Sequence, residues 1–293
     1  MRGGPDAPVV PELPEVETVV RLLRPKLEHR RITGAEVSWE PTVGGVSSQV
    51  FAKQVAGKRV GEVWRRAKYI VINLEERGRS AGCLVGHLRM TGRMHVEGPD
   101  WEPGPWWRVR LPLDNGQIFW FLDVRKFGRL VHADRAQDVF AALGPEPLGS
   151  DFTAEWFVAQ LKRRSRQIKP LLLDQSFLAG LGNIYVDESL FQAGIHPLRP
   201  ASRIPRAKAH LLFDAIREIL EEAIEREGSS FDPFYRTPEG QPGSYQEQFR
   251  VYGRQGKPCR VCGSAVVRIV VGQRGTHLCR RCQPAPRKRV TAS

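Results

Sequence analysis

Two Cys-x-x-Cys knuckles, Cys259-Arg260-Val261-Cys262 and Cys279-Arg280-Arg281-Cys282, constrain the fold of this chain more than any other feature. Knuckles paired across so short an interval bring four thiolates to one structural Zn²⁺ and leave no coordination position open for catalysis. Between them, 266–271 and 276–278 read as a small hairpin with Arg274 at its tip. An arginine on so rigid a support is placed to meet phosphate or a base, although such a residue on an isolated hairpin would be read as solvated. The fifth cysteine, Cys83, sits in a β-rich run and reads as core.

The 293 residues suffice for two domains, each with its own core. Lysine and arginine number 45 against 32 acidic residues, a formal charge of +13 that favours a polyanionic partner, nucleic acid before membrane. Charge alone also fits a generically basic protein. Residues 1–10 carry no apolar h-region, and no stretch approaches the roughly 18 continuous apolar residues of a membrane span. A cytoplasmic location is expected, and its reducing conditions agree with cysteines used as metal ligands.

From about 32 to 135 the pattern is of short strands. Tyr69–Leu74 and Gly82–Leu88 are β-rich runs. Trp107, Val109, Leu111 and Leu113 alternate with Arg108, Arg110 and Pro112, and Asn115-Gly116 supplies a hairpin turn to the run 117–122. Gly144-Pro145-Glu146-Pro147-Leu148-Gly149 reads as part of a linker. The period then becomes helical: Thr153 caps a helix to about Arg164, a short one spans Ile168 to Asp174, and Asn183 caps a third that ends at Gly194. A fourth runs from near Pro205 to Gly228, followed by a mobile loop over 229–248. The fold class is α+β: an N-terminal β-sandwich with a leading helix, then a helical domain and a zinc-finger hairpin. The expected division is a 1–10 extension, a domain over 11–135, a linker over 136–152, a helical domain over 153–248, the zinc finger over 249–283 and a basic tail over 284–293.

Several segments carry chemistry. Pro11-Glu12 stands just ahead of a helix whose apolar stripe runs through Val16, Val19 or Val20, Leu23 and Leu27. Pro14 suits a first helical turn, and Glu15 and Glu17 complement the positive end of the helix dipole. By itself this is a good helix start. If Pro11 were the chain terminus, its secondary amine could attack an aldehydic carbon, with Glu12 as general acid or base. Gly180-Leu181-Gly182-Asn183 can turn backbone N–H groups onto an anion, and Lys162, Arg163, Arg164, Arg166 and Lys169 could line the same phosphate track. Lys68 opens a strand. Met90, in His87–Gly92, and Arg125 and Phe127, in Asp123–Gly128, follow strands. An apolar residue beside an arginine in such loops can wedge into a duplex and fill the gap left by an extruded base.

In this order the motifs resemble the bacterial formamidopyrimidine-DNA glycosylase family from Pro11 to Cys282. The matching text includes Pro11–Thr18, Arg65–Tyr69, His87–Gly92, Gly144–Leu148, Ile168-Lys169-Pro170, Gly182–Tyr185, Ala193–Pro197, Val251–Arg254 and the cysteine set. The resemblance implies a helix–two-turn–helix domain over 153–248 with a lid loop, DNA crossing between the halves, and bifunctional glycosylase and AP lyase activity. It implies Pro11 as the nucleophile on C1′, Glu12 as acid/base partner and Glu15 in support. Lys68 would contact phosphate and assist β-elimination, and Arg274 the δ-elimination. Arg125, Arg164 and Asn183 fall on DNA-contacting positions; Met90, Arg125 and Phe127 form the wedge. Zinc is then the one, structural, cofactor and damaged double-stranded DNA the partner, for a monomeric, nucleoid-associated enzyme.

The chain departs from the family where Trp106 replaces a histidine, where Val124 replaces the proline of Asp-Pro-Arg, and in Phe231-Asp232-Pro233-Phe234 of the lid. The Pro-Glu-Leu-Pro-Glu opening resembles the branch acting on oxidised purines (8-oxoguanine, formamidopyrimidines). The alternatives are an oxidised-pyrimidine glycosylase of the same family and, if residues 1–10 are retained, a non-catalytic binder of damaged DNA, because Pro11 within a peptide bond is an amide. Val10 points to the resolution: a GTG start codon decoded as Met, and later removal of that Met, would expose Pro11. The expected start therefore lies downstream of Met1.

Overall fold

The computed structural model describes residues 10–229 and 243–286. Phe231-Asp232-Pro233-Phe234 of the expected lid lies outside them. Contacts divide the chain into two units: Pro8–Ala142 together with Ile224–Gln246, and Leu143–Ala223 together with Glu247–Ser293.

In the first unit helix α1 (Leu13–Leu27) leads a sandwich of β1 (Glu36–Val37), β2 (Arg59–Arg66), β3 (Tyr69–Glu76), β4 (Arg79–His87), β5 (Gly92–Glu97), β6 (Trp107–Pro112), β7 (Ile118–Asp123) and β8 (Arg129–Ala133), with α2 (Ser48–Val55) between β1 and β2. One four-stranded sheet runs β1-β6-β7-β5, the other β2-β3-β4-β8, and all pairings are antiparallel. Alternation decides what fills the space between them: Val109, Leu111, Phe119 and Phe121 from one sheet meet Val63, Ile70, Ile72 and Leu130 from the other. Val16, Val20, Leu23 and Leu27 of α1 join the same core. Each large side chain buried this way contributes about 1.5–3 kcal/mol, before the entropy of ordering it. Gly116, at φ +82°, makes the expected β6–β7 turn.

One strand departs from simple alternation. The register shifts between Trp107 and Val109, and Arg108, expected on the solvent side, is 5% exposed. The stretch expected to link the domains is also structured. Helix α3 (Ala136–Phe140) places Phe140 against Trp64 and Tyr69, with ring centroids 6.1 and 5.5 Å apart, and Phe152 is buried.

The second unit contains α4 (Ala154–Lys162), capped by Thr153, whose hydroxyl accepts from the Trp156 amide at 3.2 Å, α5 (Ile168–Leu172) and α6 (Asn183–Gln192). The long α7 (Arg206–Glu225) follows, and the unit ends in the hairpin of β9 (Val267–Val271) and β10 (Arg274–Leu278). The buried Glu188 carboxylate accepts from the amides of Arg250, Val251 and Tyr252 at 2.8–2.9 Å and so fixes the approach to the first knuckle. Among the described residues, no helix is long and apolar enough to cross a membrane.

Candidate functional site

The N-terminus of α1 gathers a buried group. Pro11, Glu12 and Glu15 are all buried. Glu12 is the N-cap in extended backbone, and its amide donates to Glu15 Oε2 at 3.0 Å, which is one arm of a capping box. The other oxygen, Oε1, accepts from the Ser229 amide at 2.8 Å and the Ser229 hydroxyl at 3.2 Å. Gly228 makes this approach possible: its φ is +74°, and a Cβ there would stand 2.8 Å from Glu15 Oε1. The helix itself is pinned to β2. Glu17 Oε2 accepts from Arg65 Nε at 2.8 Å, and Arg24 Nε donates to the Val63 carbonyl at 3.0 Å. Burial works to raise the Glu17 carboxyl, but the hydrogen bond and charge of Arg65, then those of Arg21, hold it below the usual carboxylate range. Ser229, more than two hundred residues from Glu15 in sequence, gave no signal beyond Gly228 as a helix stop.

Lys68 lies in the turn joining β2 to β3 rather than on a strand, after Ala67 at φ +52°. Next to it His87, opposite Tyr69 in the β3–β4 register, is 9% exposed. Burial first, then the charges of Arg89 and Lys68, push His87 down to about 3. Its Nδ1 accepts from the Arg89 amide at 3.0 Å, so the neutral ring carries its proton on Nε2. The consequence for stability has a definite sign. Below pH 6.5 the unfolded chain takes up a proton that the folded one refuses, so stability falls with pH from about 6.5 toward 3. At pH 5 the loss from this residue is about 2 kcal/mol, from the 1.36 kcal/mol per pH unit of linkage. Urea denaturation at pH 7 and pH 5 reads it, and His87→Asn should flatten the difference.

Met90 sits half-buried in the turn after β4, and Arg125 and Phe127 are exposed in the turn after β7. The two turns meet through Thr91 and Asp123. The Thr91 hydroxyl donates to Asp123 Oδ1, the Arg125 amide donates to both, and the Gly128 amide donates to Asp123 Oδ2 at 2.7 Å. Arg125 lies 4.9 Å over the Phe127 ring, and Lys126, at φ +61°, sets its ammonium 4.3 Å over Trp39. Phe127, at 47%, and Trp106, at 48%, are exposed.

In the second unit Asn183 is not the cap of its helix. It is the first residue of α6 behind Gly182, and its amide group donates to the Gly275 carbonyl at 3.0 Å. Lys169, expected on a phosphate track, is fully buried. Its ammonium is 2.6 Å from Asp187 Oδ1 and donates to the same Gly275 carbonyl at 3.2 Å, while Asp187 Oδ2 accepts from the His277 amide at 2.8 Å. This ion pair therefore ties α5 and α6 to the zinc hairpin. Arg274 is exposed and opens β10 beside the Gly272-Gln273 turn, one position from the tip itself. Of the other basic residues, Arg166 pairs with Asp174 at 2.8 Å and Lys162 donates to the Ile204 carbonyl at 3.2 Å. Arg164 is partly exposed, with its guanidinium 4.9 Å over Phe177. Removing one partner of a buried pair strands the other charge. Lys169→Met should thus cost about 3–5 kcal/mol of stability in chemical denaturation.

The four knuckle sulfurs all lie within 4.8 Å of one another, with Cys259–Cys282 at 3.9 Å and Cys262–Cys279 at 3.4 Å. Zn–S bonds of about 2.3 Å in a tetrahedron require edges of about 3.8 Å, so the set fits zinc. The Gln283 side chain buttresses the second knuckle: it accepts from the Cys279 amide at 3.0 Å and donates to the Ile195 carbonyl at 2.9 Å.

Comparison with known proteins gives three successive matches to family models. Residues 10–130 match the formamidopyrimidine-DNA glycosylase N-terminal domain, 143–234 the H2TH domain of the same enzymes, and 256–285 a zinc finger found in FPG and IleRS. The formamidopyrimidine-DNA glycosylase of Herpetosiphon aurantiacus is 44% identical over 277 residues, covering 94% of this chain and 100% of that one. The Chloroflexus aurantiacus protein of the same name is also 44% identical, covering 94% and 98%. Among solved structures, a mutant Lactococcus lactis enzyme in complex with DNA containing Fapy-dG superposes with a TM-score of 0.86 at 35% identity, over 94% of this chain and 100% of that one. The Lactococcus lactis enzyme complexed with DNA containing an abasic site has the same TM-score at 34% identity and the same coverage.

Proposed function

The chain belongs to the formamidopyrimidine-DNA glycosylase family, a DNA glycosylase and AP lyase of oxidised-base repair, and on that premise we propose the residues and the order of its chemistry. The Pro11 nitrogen, as a secondary amine, attacks C1′ of the damaged nucleotide. The glycosidic bond breaks, and the base leaves with its electron pair and a proton. Glu12 serves as acid/base partner in this exchange. The resulting aminal opens as the C1′–O4′ bond breaks and O4′ takes a proton from Glu12, leaving an iminium that stays cationic at any pH, because a secondary amine leaves no proton on nitrogen to lose. That electron sink acidifies C2′, so loss of the C2′ proton expels the 3′ phosphate, with Lys68 assisting. Loss of the 5′ phosphate follows, with Arg274 assisting, and water releases Pro11. Base loss and strand scission thus share one covalent intermediate.

The observation that carries this reading is the buried Glu12–Glu15–Ser229 group beside Pro11. A carboxylate bonded to two backbone amides and a hydroxyl is a rigid support rather than a solvated cap. Zinc would be held by Cys259, Cys262, Cys279 and Cys282 and would stiffen the hairpin bearing Arg274. The partner is damaged duplex DNA. Met90, Arg125 and Phe127 supply the wedge, and Arg164 and Asn183 contact DNA. A cytoplasmic, nucleoid-associated monomer completes the proposal.

Oxidised purines are the assigned lesions. Incision of duplexes carrying 8-oxoguanine or thymine glycol tests this choice: strong cleavage at 8-oxoguanine is expected. Strong thymine-glycol cleavage with none at 8-oxoguanine would place the chain in the pyrimidine branch.

A further inference from the structure

The Met90 turn and the Arg125–Phe127 turn are separate loops, yet a buried polar knot joins them. Thr91 is 3% exposed and Asp123 1%. The Arg125 amide is shared between Thr91 Oγ1 and Asp123 Oδ1, both at 3.1 Å, and the Thr91 hydroxyl closes the triangle on Asp123. The other carboxylate oxygen takes the Gly128 amide at 2.7 Å, so Asp123 spans the turn from its second residue to its last. Arg108, drawn inward by the irregularity in β6, donates to the Asp123 carbonyl at 2.8 Å. Asp123 also faces Gly92 in the β5–β7 register, which sets the end of one turn opposite the start of the other. What these polar groups hold is apolar and exposed: Val124 at 39% and Phe127 at 47%, beside half-buried Met90. An exposed apolar turn would be expected to collapse onto its neighbours unless its backbone were held from beneath.

We propose that Thr91 and Asp123 are positioning residues that couple the two turns into a single rigid wedge. The inference rests on the wedge assigned above. A wedge that is already ordered loses no further conformational freedom on entering the stack, so more of its contact energy goes into extruding the base. The knot touches no reacting atom. Its effect belongs to substrates whose base must still leave the helix.

The test compares two duplex substrates under single turnover: one carrying 8-oxoguanine and one carrying a preformed abasic site, which needs no base extrusion. Thr91→Val should lower the rate on 8-oxoguanine about tenfold, in keeping with the sensitivity of rate to small misplacements, and change the abasic rate by less than about twofold. Thr91→Ser, which keeps the hydroxyl, should restore the first rate. Asp123→Asn, which loses one of its two acceptor oxygens, should show the same split. A 2-aminopurine opposite the lesion should report a slower fluorescence rise in both impaired variants. Equal losses on both substrates, or no loss on either, would overturn the coupling. A wild-type enzyme that incises neither substrate would instead sink the assigned function, so the two failures are distinct.

Discussion

A chain that begins at Pro11 should process lesion DNA roughly 10⁶-fold faster than the same chain carrying residues 1–10, the scale on which removing a nucleophile acts. The reason lies at one atom. Within a peptide bond the proline nitrogen has given its lone pair to the carbonyl and cannot attack C1′. Pro11 and Glu12 are buried at the start of α1, and the Glu12 amide is already committed to Glu15. Single-turnover incision by the two purified chains, with intact mass to verify each N-terminus, measures the difference. The longer chain should still bind lesion duplexes in gel shifts, since none of the proposed DNA contacts is altered. Equal activity of the two would remove Pro11 from the mechanism.

Withdrawing zinc should have the second largest effect. The knuckles enclose only a small apolar cluster of Phe191, Val251 and Val266 with the cysteines, too little to fold the hairpin unaided. Metal binding at such four-ligand sites supplies about 10–16 kcal/mol, which is in effect the folding free energy of the finger. Once the hairpin is lost, Asn183 and Lys169 lose the Gly275 carbonyl and Asp187 loses the His277 amide, so a buried ion pair is left partly unsatisfied. Cys279→Ser or exhaustive chelation should release one zinc per chain and cut affinity for lesion duplex at least about a hundredfold, given the usual weight of phosphate-contacting cations. It should also open 256–285 to protease. Unchanged binding after complete zinc removal would show that the hairpin stands without it.

What could be read from the chain beforehand depended on how local each signal was. The thiolate set and the β6–β7 turn are fixed by spacing over a few residues, and both lie where expected. The sandwich followed from period-two alternation, and the structure broke that pattern at Arg108, where a bulge no single strand announces turned a polar residue inward. Lys169 shows the limit most clearly. In a run of five basic residues nothing distinguishes the one that is buried, because its acid, Asp187, belongs to another helix. Asn183 stands at the start of its helix as expected, but as first helical residue it does not cap, and its side chain reaches the zinc hairpin. The roles of Ser229, Thr91 and Asp123 were not legible for the same reason. Their partners are brought together only by the tertiary fold, and short polar side chains in turns are common.

The central claim is that the covalent intermediate forms on Pro11, and borohydride reduction during turnover on 8-oxoguanine duplex, followed by peptide mass mapping, tests it most directly. A reduced, tertiary-amine adduct on the peptide that starts at Pro11 is the predicted result. An adduct on Lys68 or another lysine, or a trapped protein that still carries residues 1–10, would contradict it.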